Sequence, residues 1–344
     1  MAKPVLIGAS AKRAAPAKLN LRLKIVGRQS DGYHRLSMLN VSTSLADEVE
    51  LHIVEPPVVA LRSLELAPEF LDSCGCPREA AEIDTVLRDP QRNLALRAAR
   101  QFLDAYSIPY GVEVKLVKRI PSGSGMGGGS SDAAAVLNLL LQLFGTYLGE
   151  IIGQEERGFS SKVAEIALAL GADVPYFVEG GLRVVSGIGE QLCSAPQGLE
   201  RFLTEYPVFV VVPRQSSSSA AVYARVRATC KNFSPDHELP GVLKKMEGVF
   251  DSADLWRLIS NDLEEHILAD NGELGILLEK LRVIEDAIVS FTGSGSAIFI
   301  LPRSRENAGE VGESVAKVTP SAWALRLLQV LEGPRPRGPN AGAR

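Results

Sequence analysis

A glycine- and serine-rich run wedged between a strand and a helix constrains this chain more than any other feature. Nine of the ten residues Ser122–Ser131 are Gly or Ser, Met126 being the exception, and five glycines fall within Gly123–Gly129. Ahead of the run, Val112, Val114 and Leu116 alternate with polar residues up to Arg119, the period of a strand. Behind it, Asp132–Phe144 is apolar enough for a buried helix, with Gly145 placed to close it. A flexible linker has no reason to sit tightly between two such elements. Chain without side chains lets backbone N–H groups converge, and the helix N-terminus adds the positive end of its dipole. The segment reads as a phosphate cradle made of Pro121, Ser122, Gly123, Ser124, Gly125, Met126, Gly127, Gly128, Gly129, Ser130 and Ser131. The hydroxyl of Ser130 or Ser131 can cap the helix or meet a magnesium ion.

Two familiar phosphate loops fail on context. Gly123-x-Gly125-x-x-Gly128 formally matches the dinucleotide fingerprint, but that needs a second strand ending in an acid about twenty residues on. Gly145-Thr-Tyr-Leu-Gly-Glu150 is not such a strand. A Walker loop ends in Gly-Lys-Ser/Thr, and no lysine lies between Arg119 and Lys162.

Elsewhere the elements mix without steady βαβ alternation, which predicts an α+β fold rather than a doubly wound sheet. Ala17–Ile25 alternates Leu19, Leu21 and Leu23 against Lys18, Asn20 and Arg22, the pattern of a half-buried strand with a polar face. A second strand is expected over 47–54. Residues 65–92 lack periodicity and read as an excursion from the core with a short helix. Helices are expected over 93–106 and 160–170, the latter stopped by Gly171, and a hairpin of 176–178 and 182–185 about Gly180-Gly181. A strand at 207–212, the serine-rich loop 216–219, helices near 220–230, 240–250, 252–269 and 272–285, and strands 287–291 and 296–301 follow. We expect an N-terminal domain over 1–200, a C-terminal domain over 201–332 and a disordered tail over 333–344.

With 37 Lys and Arg against 41 Asp and Glu, the net charge of −4 offers no basic field for a nucleic acid polymer. The four cysteines and four histidines show no metal-ligand or disulfide spacing. No run is long enough for a signal peptide or a membrane span, so a soluble cytoplasmic chain, a monomer or homodimer, is expected.

Five segments then converge on one family. Pro121–Ser131 closely resembles the nucleotide loop of the GHMP kinases, named for galactokinase, homoserine kinase, mevalonate kinase and phosphomevalonate kinase. Gly127-Gly-Gly-Ser-Ser-Asp-Ala-Ala134 is most similar to the branch that phosphorylates 4-diphosphocytidyl-2-C-methyl-D-erythritol. Ala15-Pro-Ala-Lys-Leu-Asn-Leu21 with Gly27–His34, Leu170–Val178, Asn261-Asp-Leu-Glu264 and Thr292-Gly-Ser-Gly-Ser296 resemble other motifs of that branch, in family order from Ala15 to Leu301. Ser124 and Met126 stand where glycine and leucine are common, Thr292 where serine is usual, and residues 65–92 look long for the family.

The resemblance implies a two-domain fold, a ribosomal-protein-S5-like nucleotide domain followed by an α/β sandwich, with ATP and Mg2+ as cofactors and a small cytidine-diphosphate compound as substrate. It implies Lys18 and Asp173 as the catalytic pair, and Tyr33 and His34 as holders of the cytosine. Asn20, beside Lys18 on the polar face, is expected at the substrate, and Tyr223 is expected to supply a second aromatic face. Each residue alone reads more plainly, Lys18 as a solvated edge lysine and Asp173 as a turn aspartate; the joint pattern reverses that. Two other readings remain at this point: a GHMP kinase for a mevalonate- or homoserine-type substrate, and a nucleotide-binding regulator without catalysis.

Overall fold

The computed structural model describes residues 6–30, 32–74, 77–152, 161–214, 217–230, 233, 236, 238–246, 252–269, 271–321 and 323–333. Two long strands organise the first sheet: β1 (Ser10–Arg28) and β2 (His34–Val54) pair antiparallel along nearly their whole length. β3 (Val59–Leu66) leads through α1 (Pro68–Leu71), α2 (Pro77–Arg88) and α3 (Leu94–Ala105) to β4 (Gly111–Lys118). β4 lies antiparallel on the distal half of β2 and parallel to β3. The Asn93 side chain caps α3 by accepting from the Ala95 and Leu96 N–H groups, which satisfies donors at the helix start.

The expected half-buried strand over 17–25 is buried on both faces: Lys18, Asn20 and Arg22 are as enclosed as Leu19 and Leu21. A register irregularity between Asn20 and Arg22 explains part of this. An extra residue in one strand flips the alternation that follows. Ala17, Leu19 and Leu21 thus pack in one core cluster, and Leu23 and Ile25 in another.

Helix α4 (Gly128–Ile152) starts inside the glycine run and passes through Gly145. The Ser131 N–H bonds to the Gly127 carbonyl, so the loop's last residues form the first turn. Mid-helix glycine costs only about 1 kcal/mol, too little to end a helix whose inner face from Ala133 to Phe144 is buried.

α5 (Ser161–Leu170) follows as expected, but 176–178 is not a strand. It belongs to the short helix α6 (Val174–Glu179), where Pro175 in the first turn suits a helix start and Gly180, at φ +66°, ends it. The hairpin in this region is β5 (Arg183–Gly187) with β6 (Gln191–Ser194), and β5 pairs with β2.

After α7 (Gln197–Thr204), a second, four-stranded antiparallel sheet takes shape. Its order is β11-β7-β10-β9, formed by β7 (Pro207–Val212), β9 (Ala287–Phe291), β10 (Ile298–Pro302) and β11 (Ala324–Gln329). Between β7 and β9 run α8 (Ser219–Thr229), α9 (Glu238–Met246), α10 (Ser252–Leu258), the two-residue β8 (Ser260–Asn261), α11 (Glu264–Leu268) and α12 (Gly272–Arg282); α13 (Ala308–Val318) precedes β11.

The single helix expected over 252–269 is therefore broken by β8, which pairs parallel with β1. Polar side chains do the breaking. Asn261 donates to the Phe291 and Gly293 carbonyls and accepts from Leu263 N–H, while Asp262 accepts from Ile25 N–H. Such bonds compete with a helical backbone.

Of the tail expected to be disordered, Gly333 donates its N–H to Glu200, and 334–344 lie outside the described residues, as do 247–250 of the helix expected over 240–250 and 216 of the serine loop.

Candidate active site

The glycine loop, the β1–β2 sheet and α8 enclose a cavity of about 790 Å³. Lys18 reaches it from β1. The Lys18 backbone N–H bonds to the Met126 carbonyl, so strand and loop are fastened at this residue. Its ammonium donates to Asn20 Oδ1 at 2.7 Å and stands 3.4 Å from Asp173 Oδ2. Asp173 is set by the turn between α5 and α6, where Val174 N–H bonds to the Gly171 carbonyl. Its carboxylate makes no cap bond and keeps 37% of its side-chain surface exposed, against 4% for Lys18. A nearly buried cation thus faces an open carboxylate across the cavity wall. A hydroxyl entering there meets a proton acceptor and a charge that stabilises developing oxyanion character.

The loop is shaped by three left-handed glycines, Gly123 (φ +64°), Gly125 (φ +79°) and Gly127 (φ +76°). Ser124 falls between two of them without a positive φ, which explains why a side chain is tolerated there. Its hydroxyl turns back to the Pro121 carbonyl at 2.8 Å. The turn of residues 292–296 packs directly on the loop: Ser296 N–H bonds to the Gly123 carbonyl and Ala297 N–H to that of Ser124. Thr292 Oγ1 accepts from Asn20 N–H at 3.0 Å, tying the turn to β1 as well.

Beneath the loop lies a buried ionic cluster. Lys118, at the end of β4, donates to both Asp47 of β2 and Asp132 of α4. Asp47 also accepts from the backbone N–H groups of Arg119 and Ile120, which fixes where the chain leaves β4. Burial pulls the Lys118 pKa down, but the two carboxylates outweigh it and raise it overall. Burial, with the second carboxylate beside it, pushes Asp132 up to about 8 despite Lys118. The cluster clamps the strand before the loop to the helix after it.

At the far end the cavity is aromatic. His34 opens β2, and its ring stacks on Tyr223 of α8 at 5.6 Å between centroids, with Phe233 edge-on at 6.2 Å. His34 Nε2 is buried and has no hydrogen-bond partner among the described residues. Burial, reinforced by the charges of Arg28 and Arg227, holds the imidazole below its usual pKa. Tyr33 lines the same end and is 60% exposed, a flat face offered to the opening. Burial and the Asp173 carboxylate raise the Tyr223 phenol.

Most of the residues expected at the site line this cavity: Lys18, Asp173, Tyr33, His34, Tyr223, Pro121, Ser122, Gly123, Ser124, Gly125, Gly127, Gly128, Gly129 and Ser130. Three do not, each for a visible reason. Asn20 is fully buried behind Lys18, its amide donating to Asn40 and Met38, so it holds the lysine rather than facing the opening. The Met126 side chain is enclosed in the core. Ser131 donates its hydroxyl to the Pro16 carbonyl at 2.7 Å, which leaves Ser130 as the serine facing the cavity. Lys118 and Asp47 drew no notice in the sequence, while Asp132, Ser219 and Ser294 lay within its motifs or its serine-rich loop without being named as site residues; the Ser219 and Ser294 hydroxyls meet at 2.6 Å on the cavity wall.

The comparisons with known proteins agree with this architecture. Residues 93–181 match the GHMP kinases N terminal domain. The 4-diphosphocytidyl-2-C-methyl-D-erythritol kinase of Chlorobaculum parvum is 32% identical over 321 residues, covering 90% of this chain and 97% of that protein. The enzyme of the same name from Geobacter sulfurreducens is 30% identical, covering 91% and 98%. A crystal structure of 4-(cytidine 5'-diphospho)-2C-methyl-D-erythritol kinase superposes with a TM-score of 0.59 at 30% identity, over 93% of this chain and 99% of that one. Homoserine kinase from Cytophaga hutchinsonii, 16% identical with a TM-score of 0.63 over 94% and 95%, shares the fold. With a relative 32% identical over nearly its whole length and a glycine cradle, turn and Lys18–Asp173 pair arranged around one cavity, the chain belongs to the GHMP kinase family, in its 4-diphosphocytidyl-2-C-methyl-D-erythritol kinase branch.

Proposed function

We propose that this chain transfers the γ-phosphoryl group of ATP to the 2-hydroxyl of 4-diphosphocytidyl-2-C-methyl-D-erythritol, a step of the non-mevalonate isoprenoid pathway. One observation carries the reading: a single cavity runs from the glycine loop to the His34–Tyr223 stack, with Lys18 and Asp173 3.4 Å apart on its wall. Phosphoryl transfer asks the protein mainly to position groups and stabilise charge. In this reading the loop N–H groups and the α4 N-terminus hold the nucleotide phosphates. Asp173 orients the acceptor hydroxyl and takes its proton, and Lys18 stabilises the charge that develops. His34 Nε2, which has no hydrogen-bond partner among the described residues, meets the cytosine edge and Tyr33 covers a base face; aromatic stacking of a base is worth about 1–3 kcal/mol.

Magnesium neutralises charge on the transferring phosphates when bound, and it keeps most of its ligands from water and phosphate. Ser130, facing the cavity at the start of α4, is the hydroxyl that fits such an ion. We also read 1–200 and 201–332 as the two domains, since the second sheet is drawn from strands after Tyr206.

The test is substitution with two readouts. Lys18→Ala and Asp173→Ala are expected to abolish turnover while the far-ultraviolet circular dichroism of the fold is kept. Tyr33→Ala is expected to raise KM for the cytidyl substrate; an unchanged KM overturns the assignment of the cytosine pocket.

A further inference from the structure

A chain of buried amides runs inward from Lys18. Asn20 and Asn40 stand directly opposite each other on β1 and β2, and both are fully enclosed. The Lys18 ammonium donates to Asn20 Oδ1 at 2.7 Å, and Asn20 Nδ2 donates to Asn40 Oδ1 at 2.6 Å. Donor chemistry leaves this chain one orientation. An ammonium can only donate, so Asn20 turns its oxygen to Lys18 and its NH2 inward. That NH2 needs an acceptor, and Asn40 supplies it by turning its own oxygen toward Asn20. Met38 Sδ, at 3.5 Å, is a weak second acceptor. Asn40 Nδ2 is thereby sent where it has no hydrogen-bond partner among the described residues. A buried donor without a partner is costly, and an apolar side chain of similar size would avoid that cost. The other end of the chain shows what the asparagine does there. Lys18 Nζ lies 2.7 Å from Asn20 but 3.4 Å from Asp173, so the amide holds the ammonium more closely than the carboxylate does.

We propose that Asn40 is a positioning residue for phosphoryl transfer: it fixes the Asn20 amide, which holds the Lys18 ammonium back from Asp173. The proposal rests on the reading of Lys18 and Asp173 as the reacting pair. With the amide chain in place, the Asp173 oxygen stays open to take the hydroxyl proton. Without an acceptor at residue 40 the Asn20 amide is free to turn, and the ammonium closes onto the carboxylate oxygen that has to receive that proton. Asn40 does not line the cavity, so its loss acts on the chemical step and not on binding.

The experiment is steady-state kinetics of the full chain with ATP and the cytidyl substrate, alongside thermal unfolding, for Asn40→Leu, Asn40→Ala and Asn40→Asp. Leucine and alanine remove the acceptor and should lower kcat about tenfold with both KM values unchanged. Asn40→Leu should keep Tm close to wild type, because it removes one unpartnered donor while it takes the acceptor from Asn20. Aspartate keeps an oxygen toward Asn20, so Asn40→Asp should retain kcat near wild type while lowering Tm, since it buries a carboxyl with no cation of its own. Activity and stability then move in opposite senses in the two variants, which a merely structural asparagine would not produce. Wild-type kcat in the leucine and alanine variants overturns the proposal. So does a kcat loss in Asn40→Asp as large as in Asn40→Leu, or a rise in KM in place of the loss in kcat. Turnover by wild type tests the underlying reading separately: without it both fall, whereas turnover with unaltered kcat in Asn40→Ala sinks the role of Asn40 and leaves the kinase reading standing.

Discussion

Replacing Gly125 by alanine tests whether the nucleotide loop is held by its contact with the 292–296 turn. Gly125 has φ +79°, and a Cβ there would run into the Thr292 carbonyl oxygen and crowd the backbone of Gly295. Left-handed backbone costs a residue with a Cβ about 1–2 kcal/mol. Forcing atoms into a packed site costs about 1–3 kcal/mol more. Alanine also restricts the unfolded chain, which returns about 0.4–1 kcal/mol. The net expectation is a loss of about 2–4 kcal/mol, read from urea denaturation as a lower midpoint at unchanged slope. The loop must shift off the turn to relieve the clash, so KM for ATP should rise at least about tenfold, equivalent to about 1.4 kcal/mol. Gly145→Ala is the built-in control: among the described residues no atom beyond its own helix backbone and chain neighbours lies within 4 Å of its Cβ, and the residue is inside α4. That change should stabilise by about 0.5–1 kcal/mol and leave ATP binding alone. A Gly125→Ala variant with wild-type midpoint and wild-type ATP KM would refute the packing argument.

Three further outcomes follow from the geometry. Because His34 is held below its usual pKa, its unfolded form binds a proton first as pH falls through about 6.5, so its contribution to stability is intact above that pH and declines below it. KM for the cytidyl substrate should rise only at lower pH, where the folded imidazole itself takes up a proton, and His34→Gln should remove that rise. Asp236 accepts from both Arg22 Nε and Nη2 at 2.9 Å and is held at about 2 by that pairing despite burial. Its stabilisation is present above about pH 4 and lost as pH falls through about 2. Asp236→Asn should cost about 3 kcal/mol at pH 7 by taking the carboxylate from buried Arg22, with the difference from wild type closing near pH 2. In the loop, Gly127→Ala sets a Cβ 2.6 Å from the Phe177 ring at φ +76° and should lower stability and ATP affinity together in thermal and kinetic assays.

How much of this was legible beforehand depended on sequence distance. The strand–glycine loop–helix unit could be read because its signal is local: a strand, a run of glycines and an apolar helix follow one another within residues 112–144. Lys18 and Asp173 were readable through resemblance, and the 3.4 Å between them is consistent with that pairing. What stayed hidden involves partners far apart. Arg22 meets Asp236 across more than two hundred positions, and Lys118 joins Asp47 to Asp132. The polar face of β1 looked solvated because periodicity reports a second face without saying what covers it. The segment 252–269 kept a helical apolar pattern, yet Asn261 bonds to carbonyls of residues 291 and 293 and breaks it. Short α6 resembled a strand because three apolar residues beside paired glycines carry no usable period.

The most direct measurement is phosphorus NMR of the purified chain with ATP, magnesium and, in parallel, 4-diphosphocytidyl-2-C-methyl-D-erythritol, mevalonate and homoserine. The account predicts a new phosphomonoester resonance with the cytidyl substrate alone, matched by stoichiometric loss of ATP γ-phosphate and absent in Asp173→Ala. Phosphorylation of mevalonate or homoserine in its place, or ATP binding with no phosphoryl transfer to any of the three, would contradict it.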